Sequence, residues 1–232
     1  SLFLLVREAD VSPKSFVCPA SDQREFSGKN QNNLDLVDLW DFGSTQYAAS
    51  PEGPGKTVSY AYHMPYAAGQ TGAASTGAVS SLAASGSRSA SFALMADKNP
   101  WFDKKITSRS VNSATADNYM SAVCLLNLNV VPTDWSNISE RWKIQVANSA
   151  THDREGQNVL FGDGHNEFVN RPDVGVQNDN IYTRWAVTTP NEQQRRIGFA
   201  TVPTAYPKAT TELTTFVPAQ GTDDSILVND IE

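Results

Sequence analysis

The chain has 232 residues, of which 40% are hydrophobic and 19% charged, and its formal net charge is −7. That length supports a sizeable core, and the composition is that of a folded, polar-surfaced protein rather than a disordered one. The acidic balance and the lack of a basic cluster argue against a nucleic-acid partner, and no run of about eighteen apolar residues is present to span a membrane. The chain opens at Ser1 rather than Met, as a processed or truncated product would.

In chain order, Leu2, Leu4, Leu5 and Val6 predict the end of a helix, which Pro13 breaks. The segment SFVCP is then expected to be a short extended piece stopped by Pro19. NNLDLVDLWDFG places Leu36, Leu39 and Trp40 at helical spacing. Asn32 or Asn33 could cap it and Gly43 follows its end, which predicts a short helix or a pair of turns. TVSYAYHMPY alternates and is rich in Tyr, as expected for a strand ending near Pro65.

Residues 67–91 differ in kind: 21 of the 25 are Ala, Gly, Ser or Thr. With so little side-chain area to bury, the stretch reads as a low-complexity surface loop. Order returns at Phe92, Leu94 and Met95, which predict a buried strand ending at Asp97, followed by a turn in DKNPW. YMSAVCLLNLNVVP reads as a core strand, and DWSNISERWKIQVANSA fits helix or strand. From Ile181 onward, YTRWAVTTP, IGFATVPTAYP, TTFVPAQG and DSILVND read as short strands and turns. There is no internal repeat and no clear linker. The expected fold is therefore α+β, a single strand-dominated domain over residues 1–232 with an antiparallel sheet, few short helices and long loops.

Cys18 and Cys124 have neither zinc-knuckle nor CxxC spacing. A disulfide between them and two unrelated buried thiols fit the sequence equally well.

NVLFGDGHNEFV is the sharpest local signal. Asp163-Gly164 is a favoured two-residue hairpin turn. It would set Phe161 opposite Asn166, Leu160 opposite Glu167 and Val159 opposite Phe168. Val159, Phe161 and Phe168 would then share a buried face, with Leu160, His165 and Glu167 on the other. A functional alternative gathers His152, Asp153, Glu155, Asp163 and His165 around a cation, but no HExxH, helical His pair or EF-hand pattern is present. Ser27 and Ser149 lie in no nucleophile elbow, and no phosphate-binding glycine loop occurs. His63 reads as a packed or surface histidine. No residue stands out as catalytic or cofactor-binding, and no metal ligand set can be assigned.

The stretch HDREGQNVLFGDGHNEF resembles the C-terminal signature of a large bacterial family of prepilin-like proteins, known for an H-x9-DG motif and related to type II secretion pseudopilins. Its motif residues here are His152, Asn158, Asp163 and Gly164. LFLLVREADVSPKSFVCPAS, with Cys18 and Pro19, is similar to the family segment that follows the N-terminal helix. DLWDFG, TVSYAYHMPY, FALMADKNPWF, VGVQNDNIYT and DSILV agree in order, so the resemblance runs from about Leu2 to Val228. Ten residues separate His152 from Asp163, one more than the motif's name, and a loop absorbs such an insertion cheaply. The low-complexity stretch is not part of the family core.

The resemblance implies the globular head of a type IV pilin- or pseudopilin-like subunit, with the family's leader and long apolar helix absent from this sequence and Ser1 just past that helix. Such a head performs no covalent chemistry. It would sit in the periplasm or at the cell surface and assemble with copies of itself, as a homo-oligomer or filament, or with secretion-system components. The membrane would be met only through the missing helix, which would pack on the sheet. A structural Ca²⁺ is compatible with the resemblance, with no ligands assignable. The alternatives are a cell-surface adhesive or glycan-binding module using the aromatic residues and the Ala/Gly/Ser/Thr-rich stretch, and a metal-dependent hydrolase built on His152, Asp163 and His165.

Overall fold

The computed structural model describes residues 2–28, 35–39, 41–42, 54–63, 84–100, 144–145, 147–185, 187–198 and 219–229. Its centre is a five-stranded antiparallel sheet. The strands are β1 (Tyr60–His63), β2 (Ala93–Asp97), β3 (Gln157–Phe161), β4 (Asn166–Val169) and β5 (Leu227–Val228). They run in the order β4-β3-β2-β1-β5 with every neighbouring pair antiparallel. The described α-helices are short: α1 (Phe3–Ala9), α2 (Pro54–Thr57) and α3 (Glu192–Ile197). The strand-dominated antiparallel α+β architecture is thus the one the sequence predicts. Among the described residues no helix is long and apolar enough to cross a membrane.

Alternation of side chains divides the sheet into a core face and an open face. Gln157, Val159 and Phe161 of β3 are buried, while Asn158 and Leu160 between them are only partly so. The core face gathers Ala61, Ala93, Ala96, Val159, Phe161 and Leu227 with Ile181 and Tyr182 from outside the sheet. β2 keeps to this face through an irregularity between Ala93 and Met95. A β-bulge adds a residue and resets the alternation. It leaves Leu94 and Met95 both half-buried and returns Ala96 to the core. The predicted end of this strand at Asp97 agrees, but its buried apolar side chains are Ala93 and Ala96 rather than Leu94 and Met95.

A second cluster joins Phe3 and Val6 of α1 to Phe16, Phe26, Leu39, Phe42 and Val58. The i, i+3 spacing of Phe3 and Val6 puts both on one face of the helix, and Phe3 meets Phe42 edge-on with ring centroids 5.0 Å apart. Leu4 and Leu5 stay exposed. Pro13 starts a 3₁₀ turn, Pro13–Phe16, after α1 has ended at the left-handed Asp10. Leu36–Asp38 is likewise a single 3₁₀ turn. Asn32, Asn33, Trp40 and Gly43 lie outside the described residues, as do YMSAVCLLNLNVVP and residues 67–83. Residues 84–87, 90 and 91 are exposed, with turns at 86–87 and 90–91.

Two expectations are corrected. YTRWAVTTP forms bends and turns where it is described, not a strand. Two of its backbone donors go to side chains, Tyr182 N–H to Asn180 Oδ1 at 3.1 Å and Trp185 N–H to Asp224 Oδ2 at 3.2 Å, and Thr183 N–H closes a turn onto Asn180 O. α3 arises instead in NEQQRRIG, started by a reciprocal capping box between Asn191 and Gln194.

The hairpin forms, but one residue out of the expected register. Leu160 faces Asn166, Val159 faces Glu167 and Asn158 faces Phe168. Phe161 N–H donates to His165 O, and Gly164 N–H to Phe161 O. The loop is therefore Gly162-Asp163-Gly164, with Gly164 alone taking positive φ, at 87°. A two-residue type I′ turn would need positive φ at Asp163 as well. Asp163 instead accepts from the backbone N–H of His165 at 3.0 Å and from its ring, a local turn that fixes the longer loop. These bonds, the backbone one first, hold the Asp163 carboxyl below the ordinary carboxylate range. The slip reverses the predicted faces of β4. Phe168 is 51% exposed on the open face, and His165 stacks on Phe161 at 4.5 Å.

Gly164→Ala is expected to destabilise the fold by only about 1 kcal/mol, the conformational penalty alone, because a Cβ there meets nothing within 4 Å. Gly156→Ala is expected to cost more. Its Cβ would lie 2.3 Å from Val169 O and 2.8 Å from the Phe168 ring. Denaturant unfolding of the two variants checks the order.

Candidate functional site

The register places four side chains in a row across the open face. Tyr60 of β1 pairs with Asp97 of β2, and Asn158 of β3 pairs with Phe168 of β4. Asn158 bridges the two pairs, its backbone N–H donating to Asp97 Oδ2 at 2.7 Å and its side-chain Nδ2 to the same oxygen at 3.2 Å.

Two loops close over this row. Ser21 N–H and Oγ both donate to Cys18 O, at 3.0 and 2.7 Å. That turn, Cys18-Pro19-Ala20-Ser21, tucks the Cys18 thiol inward, leaving the residue 5% exposed. The second loop is a 3₁₀ turn, Ala150–His152, started by Ser149, whose Oγ accepts from Thr151 N–H. The chain then doubles back through Asp153 and Arg154, both with positive φ. Asn148 Nδ2 holds that reversal by donating to Arg154 O and Asn170 O, each at 3.0 Å. Buried Gln157 accepts from Ser149 N–H at 3.1 Å and donates to Arg171 O at 2.9 Å. His152 is thereby delivered over Asp97, with its ring edge-on to Phe168 at 5.5 Å.

His152 Nε2 lies 3.1 Å from Asp97 Oδ2, 3.8 Å from Cys18 Sγ and 3.3 Å from Asn158 Nδ2. Asp97 is fully buried, and its Oδ1 has no hydrogen-bond partner among the described residues. Burial raises the Asp97 carboxyl above its ordinary range, opposed by the Asn158 bonds and by His152. Burial likewise raises the Cys18 thiol and the Tyr60 phenol, the latter helped by the nearby Cys18 and Asp97 charges.

Behind the row, Asn99 clamps the end of β2. Its Nδ2 donates to Leu227 O at 2.7 Å and to Tyr182 O at 3.1 Å, and Tyr182 Oη donates to Asp97 O at 2.9 Å. In front, a groove of about 730 Å³ is lined by Cys18, Tyr60, Met95, His152, Asn158 and Leu160 among others. A polar cleft of about 420 Å³ opens on the other side of His152, towards Lys98, Asn99 and Glu155.

Cys18 and Asp97 both address the same ring nitrogen of His152. A nucleophile relay needs the thiol on one ring nitrogen and the orienting carboxylate on the other, so this is not a catalytic triad. It is a convergence of three donor atoms of different type, all within 4.8 Å of one another.

Of the motif residues, Cys18, Pro19, His152 and Asn158 line one groove, whereas Asp163 and Gly164 shape the hairpin tip. His152, Asp163 and His165 are not brought together. Among the described residues the one group of three or more metal-capable side chains is Cys18, Asp97 and His152. His63 is packed, its Nδ1 accepting from Ile226 N–H at 3.2 Å. Cys18 is a free thiol, and Cys124 lies outside the described residues. Asp97 and Asn99 escape sequence reasoning as site residues. Their signal was the Ala-Asp-x-Asn-Pro segment, which on its own reads as a strand end and a turn. Comparison with models of protein families, with curated proteins and with solved structures finds no match to this chain.

Proposed function

We propose that this chain is the globular head of a pilin- or pseudopilin-like structural subunit, acting by assembly rather than by covalent chemistry. One observation carries the reading. The segments that resemble the prepilin-like family, far apart in sequence, meet around a single point: Cys18 and Pro19, Asp97 and Asn99, His152 and Asn158. Segments that converge on one packed point, with no nucleophile relay among the described residues, suit a device that holds a structural head together. On this reading the head stands in the periplasm or at the cell surface and contacts copies of itself or secretion components.

The test is mass spectrometry of the N-terminus of the native protein from its own cells. A mature N-terminus several tens of residues upstream, opening a long apolar helix with an N-methylated first residue, is expected. A native chain starting at or near Ser1 removes the assembly helix and overturns the proposal.

A further inference from the structure

We propose that Cys18 Sγ, the Asp97 carboxylate and His152 Nε2 form a three-ligand site for a borderline-soft divalent cation, Zn²⁺ by donor chemistry. The site does not depend on the pilin reading. Tetrahedral zinc with Zn–S of ~2.3 Å and Zn–N or Zn–O of ~2.0–2.1 Å has ligand–ligand edges of roughly 3.3–3.6 Å. The Nε2···Oδ2 separation of 3.1 Å and the Nε2···Sγ separation of 3.8 Å straddle that range. One imidazole nitrogen offers a single lone pair or a single proton. It cannot serve a thiol, a carboxylate and the Asn158 amide together, whereas a central cation accepts a lone pair from each of the three ligands.

A second observation points the same way. Asp97 is 0% exposed and its Oδ1 has no hydrogen-bond partner among the described residues, so there the carboxylate sits buried without a full set of partners. A divalent cation bound to this carboxylate adds a full positive charge beside the His152 ring that already faces it at 3.1 Å. Asn158, donating twice to Oδ2, becomes the orienting partner that metal-ligating carboxylates need. Sulfur and imidazole donors select a zinc-like ion over Ca²⁺, which takes oxygen ligands. The groove beside the ring leaves room for water as fourth ligand. The ion would tie the segment after α1, the end of β2 and the loop before β3, joining residues 134 apart in sequence at Cys18 and His152.

The test uses the full chain, reduced and stripped with chelator, then titrated with Zn²⁺ by calorimetry and with Co²⁺ by absorption. One equivalent bound, a higher Tm with Zn²⁺, and a thiolate-to-cobalt charge-transfer band are expected. Cys18→Ser should abolish the band and Cys124→Ser should keep it. Absence of stoichiometric binding by the folded chain overturns the proposal, as does a band that survives Cys18→Ser and is lost in Cys124→Ser. Should Cys18→Ser fail to fold, X-ray absorption of the zinc-loaded wild type decides. One sulfur at ~2.3 Å with lighter ligands at ~2.0–2.2 Å is expected, and a first shell without sulfur overturns it.

Discussion

Tyr182→Ala is expected to lower the free energy of unfolding by about 4 kcal/mol, the range for deleting a buried aromatic ring. Tyr182 is the largest fully buried side chain among the described residues. On the core face the sheet contributes Ala61, Ala93 and Ala96, whose small side chains leave volume for a large neighbour, and Tyr182 supplies it. Little in that environment can collapse into the space the ring leaves. A typical domain is stable by only about 5–15 kcal/mol, so this one change removes a large fraction of the total. Tyr182→Phe separates the two roles of the side chain. It keeps the ring but strips the donor from Asp97 O, at about 1–2 kcal/mol. Urea unfolding of both variants measures the effect. A loss for Tyr182→Ala no larger than for Tyr182→Phe would mean that the ring fills no essential volume. Because Tyr182 Oη holds the backbone of Asp97, the phenylalanine variant should also loosen the site on the other face of β2. Weaker Zn²⁺ binding at unchanged stoichiometry by the proposed site would report this.

The second large effect is in the pH dependence of stability. Asp179 and Asp224 are both fully buried, and each accepts two hydrogen bonds. Asp179 accepts from Trp185 Nε1–H at 2.7 Å and Ser225 N–H at 2.8 Å. Asp224 accepts from Gln220 N–H at 2.6 Å and Trp185 N–H at 3.2 Å, leaving its Oδ1 unpartnered. Burial pushes the Asp224 carboxyl up to about 7. Burial first, and then the charge of Asp224, holds Asp179 well above the usual carboxylate range. The folded chain therefore keeps protons here that the unfolded chain releases near pH 4. A raised folded-state value contributes stability that is complete below the unfolded value and is lost as pH rises through the folded one. For Asp224 that window runs from about pH 4 to about pH 7, and a shift of about three units corresponds to on the order of 4 kcal/mol. Asp224→Asn removes the charge and leaves an oxygen to accept the two backbone bonds. Thermal melts from pH 4 to pH 8 should show the wild type losing stability relative to Asp224→Asn as pH rises. Parallel curves would mean that the pair titrates alike in the folded and unfolded chain.

Local signals in the sequence were read well where local physics decides. α1 ends before Pro13, at the left-handed Asp10, the Tyr-rich alternation before Pro65 becomes β1, and β2 ends at Asp97 as the following Asn-Pro demands. The hairpin was visible for the same reason, since glycines flank Asp163 and apolar residues alternate on either side. Its register was not visible, because two-residue and three-residue loops both accept an Asp-Gly pair. The choice fell to a bond from His165 back to Asp163 and to the negative φ that Asp163 retains. That single step carried Phe168 out of the core and placed it beside His152. The site shows the same division. Cys18, Pro19, His152 and Asn158 could be singled out from motif resemblance. Asp97 could not, because a carboxylate at a strand end has no local mark of being buried.

The sequence by itself determined the class of this protein: an acidic, strand-rich α+β chain with short helices and a hairpin around Asp163. These follow from composition, period and turn chemistry, all of which act over a few residues. Only the tertiary structure decided which face of each strand meets the core and which carboxylates are buried without full partners. It also decided that a thiol, a carboxylate and an imidazole from three distant segments converge. Such outcomes depend on pairing between strands remote in sequence, where a bulge at Leu94 or a one-residue slip at Gly162 redirects every side chain beyond it.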